Sequence, residues 1–89
     1  MNIKDAINQI VYTSLKKYGI TLDMITTEKL IIADLHADSL DIIEMMLAFE
    51  EKFDTLINEE DISKIFTVGD IYQYITAHRK QVMIVDGAL

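Results

Sequence analysis

Along most of this chain, apolar side chains recur every three or four residues, the period of one helical face. Ile3, Ala6, Ile7, Ile10, Val11, Ser14, Leu15 and Tyr18 trace such a face over residues 3–18. Asn2 suits the cap before it, and Gly19, behind Lys16 and Lys17, suits its stop. The period lapses over residues 20–38. Loops this long are uncommon unless functional, and Ile20, Leu22, Met24, Ile25, Leu30 and Leu35 are expected to anchor this one across the helices. The period returns at Ser39 and lasts to Phe53. A short third helix is expected over 59–65. A fourth, over 68–78, has Val68, Ile71, Tyr72 and Ile75 on its inner face, and Thr67 with Asp70 resembles a capping box at its start. With no proline and three glycines, the pattern predicts an all-α chain. Residues 1–80 read as one domain. Residues 81–89, containing Val82-Met83-Ile84-Val85, are expected to form a loose or disordered tail.

The helix predicted over 39–53 carries two apolar stripes. Met45, Met46, Phe49 and Phe53 suit a core, whereas Leu40, Ile43 and Leu47 form a second stripe beside Glu44 and Glu51. A helix apolar on two sides is either fully buried or offers one side to a partner, and the acids argue against full burial. Ile43 alone also fits as a completion of the core.

Charge sharpens this picture. The 89 residues carry a formal charge of -7, and residues 38–64 hold nine acids against two bases, which accounts for all of it. Such one-sidedness exceeds what solubility needs and suits docking onto a basic protein surface. It argues against nucleic acid and anionic membranes, both of which demand Lys and Arg. No apolar run reaches the roughly 18 residues of a membrane span. The start, Met1-Asn2-Ile3-Lys4-Asp5, does not read as a signal peptide. The lack of cysteine removes thiol chemistry and fits a reducing cytoplasm.

Candidate chemistry is sparse. His36 and His78 lie apart, no cluster of metal ligands is present, and an enzyme is not expected. Asp38-Ser39 stands where the long loop meets a helix start. It reads first as a plain cap; the same geometry also suits a serine whose phosphate ester would lie at the positive end of the helix dipole.

The run Asp34-Leu35-His36-Ala37-Asp38-Ser39-Leu40-Asp41 resembles the D-L-G-x-D-S-L-D box of acyl carrier proteins. It continues through Ile42-Ile43-Glu44-Met45-Met46-Leu47-Ala48-Phe49-Glu50-Glu51-Lys52-Phe53, similar to the second helix of that family. Ile62-Ser63-Lys64-Ile65-Phe66-Thr67-Val68-Gly69-Asp70 is similar to its short third helix and the start of its fourth. The resemblance implies a monomeric four-helix bundle with a short third helix and a long loop between helices one and two. It implies a 4′-phosphopantetheine arm, moved from coenzyme A onto Ser39 by a phosphopantetheinyl transferase, that carries acyl groups as thioesters. The implied partners are acyl-transfer and chain-elongation enzymes of fatty-acid or polyketide type, with basic docking patches. By motif position the contact residues fall on Asp38, Leu40, Asp41, Ile43, Glu44, Leu47, Glu50 and Glu51. The sequence departs from the family pattern at His36, where glycine is usual, at Ala33 and Lys52, where acids are common, and at Asn58, where proline is frequent. These departures keep a specialised carrier of a dedicated pathway open. A small acidic helical adaptor without a prosthetic group is the alternative from another class.

Overall fold

A computed structural model describes residues 2–78, and the expectation for the 81–89 tail lies outside them. The helices are α1 (Ile3–Leu15), α2 (Ser39–Phe53), α3 (Glu59–Ile62) and α4 (Val68–His78), and among the described residues there is no strand. Each start follows local chemistry. The Asn2 side chain accepts the Asp5 N–H at 2.8 Å. Asp38 and Asp41 form a reciprocal capping box at α2. At α4, Thr67 Oγ1 accepts the Asp70 N–H at 3.1 Å while the Asp70 carboxylate accepts the Thr67 N–H at 3.0 Å.

The first helical segment covers the predicted residues but tightens into a 3₁₀ turn at Lys16–Tyr18 and stops at Gly19, whose φ of 86° is left-handed. The third helix is shorter than predicted. After Ile62 the amides of Lys64 and Ile65 bond three residues back, to Asp61 and Ile62, which winds the chain too tightly for an α-helix.

The core joins Ile7, Val11 and Leu15 of α1, Met45, Met46 and Phe49 of α2, and Val68, Ile71, Tyr72 and Ile75 of α4. A fully buried side chain of this size contributes roughly 1.5–3 kcal/mol, so these three faces carry most of the stability. The short α3 is held differently. Tyr74 of α4 donates its hydroxyl to Asp61 at 2.8 Å. Tyr72 likewise reaches Asn8 of α1 at 2.6 Å.

The long loop packs across the bundle as expected, through three of the six expected anchors and two others. Ile20, Ile25, Ile31, Leu35 and Ala37 are buried, while Leu22, Met24 and Leu30 remain exposed. Met24 is therefore not a core residue; its sulfur accepts the Thr21 N–H at 3.4 Å. The loop crosses to the start of α4 through Ile31 N–H to the Phe66 carbonyl (2.9 Å), Val68 N–H to Lys29 (3.0 Å) and Gly69 N–H to Thr27 (2.8 Å). This crossing needs a residue without a side chain at 69: a Cβ there would lie 2.8 Å from Thr27 Cγ2. One turn further on, the Asp34 carboxylate accepts the Leu30 N–H at 2.8 Å. His36 then takes the left-handed corner, with φ 68°. The family's usual glycine would suit that corner better, although His tolerates it more readily than most residues.

Candidate functional site

Residues 36–38 deliver the chain from that corner into α2. Asp38 is extended and is the N-cap, its Oδ1 accepting the Asp41 N–H at 2.8 Å. Ser39 therefore occupies the first helical position rather than the cap, and it is exposed. Among the described residues no hydrogen bond engages its hydroxyl. A serine that capped the helix would have its oxygen committed; here the neighbouring aspartate does that work.

At 3.6 residues per turn, about 100° each, Leu40, Ile43, Glu44, Leu47 and Glu51 share one stripe running away from Ser39. All are exposed. Leu40 is 62%, Ile43 50% and Leu47 60% accessible, so Ile43 does not complete the core. Leu56, beyond the end of α2, is 82% accessible. Exposed aliphatic side chains edged by acids have the make-up of a small docking patch with a charged rim.

Two of the acids assigned to partner contact lie elsewhere. Asp41, on the flank facing α1, is only 2% accessible. Its Oδ1 is 2.8 Å from Lys17 Nζ. Its Oδ2 accepts the Tyr18 hydroxyl at 2.6 Å and the Asp38 N–H at 3.1 Å. Lys17 first, then Tyr18 and the Asp38 amide, hold this carboxyl far below the usual carboxylate range against the opposing effect of burial. The lysine and the phenol are in turn pushed up by Asp41. A carboxylate so enclosed has no free face for a partner. Glu50, on the opposite flank, is half-buried and accepts the Ile57 N–H at 2.8 Å, satisfying an amide that would otherwise be buried without a partner. Asp38, Glu44 and Glu51 remain exposed.

Lys17 and Tyr18 are the residues that sequence reasoning missed. They read as the end of the first helix, and the Tyr18–Asp41 contact bridges 23 positions, most of them aperiodic loop. No local signal announces it. Among the described residues no group of His, Cys, Asp and Glu is arranged to hold a metal, and no helix is long and apolar enough to cross a membrane.

A short helical bundle that leaves an unengaged serine at the head of an acid-edged helix has the form of a carrier domain, in which a flexible arm is attached to the surface. The family described as the phosphopantetheine attachment site matches residues 15–75. A solved putative acyl carrier protein from Mycobacterium tuberculosis is 30% identical, with a TM-score of 0.77 over 85% of this chain and 97% of that one. The acyl carrier protein from Enterococcus faecalis is 32% identical, with a TM-score of 0.70 over 86% of this chain and 98% of that one. This chain belongs to the acyl carrier protein family, whose prosthetic group is a covalent 4′-phosphopantetheine. Proteins of this family receive the group from a phosphopantetheinyl transferase and serve biosynthetic enzymes; their carrier domains are not catalytic. The residues around Ser39 fit such a group: the hydroxyl is open to solvent, and the first turn of α2 presents the positive end of the helix dipole to an attached phosphate.

Proposed function

We propose that Ser39 bears the phosphopantetheine arm and that this chain, without catalysing any reaction itself, delivers acyl groups to fatty-acid or polyketide-type enzymes in the cytoplasm as a monomer. The observation that carries the assignment is the division of labour at the start of α2: Asp38 caps the helix and leaves the Ser39 hydroxyl exposed and unengaged. When bound, the arm supplies a terminal thiol that holds the acyl group as a thioester. The chain's own residues present and address it. The Ser39 oxygen becomes the ester link to phosphorus. Asp38, Glu44 and Glu51 offer negative charge to a basic docking surface, and Leu40, Ile43 and Leu47 offer the apolar contact at its centre.

Incubation with coenzyme A and a broad-specificity phosphopantetheinyl transferase, followed by intact mass measurement, tests the assignment. The expected result is one added arm per chain, lost in Ser39→Ala. An unmodified mass, or an arm that persists in Ser39→Ala, refutes it. A left-handed backbone at His36 and the missing acid at 33 set this chain's approach to α2 apart from the family pattern and keep a dedicated pathway as the alternative to general fatty-acid synthesis. Reconstituted fatty-acid synthesis with this chain as the sole carrier separates the two: turnover supports a general carrier, and loading without turnover supports a dedicated one.

A further inference from the structure

Ser39 and Leu40 are enclosed by two residues that bond to each other. The Asp41 amide donates to the Asp38 carboxylate at 2.8 Å, and the Asp38 amide donates to the Asp41 carboxylate at 3.1 Å. That box has an external support. Both oxygens of Asp41 are taken up from the far end of the loop, by Lys17 Nζ at 2.8 Å and the Tyr18 hydroxyl at 2.6 Å. Tyr18 immediately precedes Gly19, where the loop begins, and Asp41 lies just past its end. The contact therefore ties the two mouths of the loop together at the point where the serine is displayed. Closing a loop of this length costs conformational entropy, and a charge-assisted cluster can offset it.

Given Ser39 as the attachment residue, we propose that Lys17 and Tyr18 are positioning residues for arm attachment: by gripping Asp41 they hold the first turn of α2 in the orientation that presents the Ser39 hydroxyl to the transferase. Asp41 on this view contributes nothing to docking. The transferase meets Asp38, Glu44 and Glu51, and the latch acts on how the hydroxyl is aimed once docking is complete.

Steady-state rates of arm attachment, measured by intact mass over a range of carrier concentrations, separate aim from affinity. Tyr18→Phe and Lys17→Met are expected to lower kcat about tenfold, in keeping with the sensitivity of transfer reactions to misplaced groups, while KM stays unchanged. Lys17→Arg is expected to restore the rate. Tyr72→Phe is a matched control, because it removes a hydroxyl bond of the same 2.6 Å length that joins α4 to α1 instead. It should leave kcat unaltered. In the unmodified chain, hydrogen exchange at the Asp41 amide should quicken in the Tyr18 and Lys17 variants and not in the Tyr72 variant. A kcat equal to that of the original chain, a change confined to KM, or an equal slowing by Tyr72→Phe would each overturn the proposal. If the original chain accepts no arm, the assignment of Ser39 has failed instead. The exchange comparison then decides alone: unchanged exchange at Asp41 means that no latch orders the turn.

Discussion

Replacing Asp41 with asparagine removes one charge from a carboxylate that is 2% accessible and changes its size hardly at all. An amide in its place keeps one acceptor oxygen and offers Lys17 a donor where it had a counter-charge. At least one charge-assisted bond is lost, and such bonds contribute about 1.5–3 kcal/mol. Lys17 is 55% exposed, so solvent screening discounts this to a loss of about 1 kcal/mol at neutral pH, against roughly 4–13 kcal/mol available to a domain of this size. It should lower the melting temperature by roughly 4–8 °C. The pH dependence distinguishes this from a packing defect. The Asp41 carboxyl is held down in the folded state, so its contribution is complete above the ordinary aspartate value of 3.8 and is lost as pH falls from there through the folded-state value. Asp70 has the same sign, from the Phe66 and Thr67 amides, but is present in both proteins and cancels in the difference. Urea unfolding followed by circular dichroism between pH 7 and pH 3 is the assay. The gap between the two proteins should stay constant down to about pH 4 and narrow below it. A gap that is the same at pH 3 as at pH 7, or one under about 0.5 kcal/mol throughout, would refute the reasoning.

Leu47→Ala should leave the melting temperature within about 3 °C, because the side chain is 60% accessible, and should weaken docking to a partner enzyme about tenfold; a large loss of stability would show the stripe to be structural. Gly69→Ala should destabilise by about 1 kcal/mol, the clash at Thr27 outweighing alanine's better helix propensity; a raised melting temperature would count against the tight crossing. His36→Gly should stabilise by up to about 1 kcal/mol by relieving the left-handed backbone, read by thermal melting, and a lowered melting temperature would mean that the imidazole makes a contact worth more than the strain.

The helices were legible because their signals are local. Residues 39–53 keep one apolar period without interruption, and Thr67 with Asp70 marks a start in four letters. Which side of α2 meets the core was legible for the same reason, since Met45, Met46 and Phe49 share one side and Glu44 and Glu51 stand on the other. The loop was not. Leu30, Ile31 and Ile32 are three apolar neighbours, and the middle one turns inward where long-range backbone bonds such as Ile31 N–H to the Phe66 carbonyl hold the segment. The acids misled in one respect. Charge at a motif position says that a carboxylate is present, not whether solvent or its own fold receives it. Asp41 and Glu50 each answer to a group beyond the helix that carries them. At Asp41 the nearest charge is a lysine's, not another acid's.

That arrangement bears on how far the second helix can be treated as a portable part. Grafted into another carrier, α2 would bring its outer stripe intact. Asp41 would arrive without Lys17 and Tyr18, and Glu50 without the Ile57 amide. The unit that can be exchanged is larger than the helix. It takes in the 3₁₀ turn after α1 and the stretch leading to α3, so chimeras cut at the ends of α2 are compromised by their joints before their recognition is ever tested.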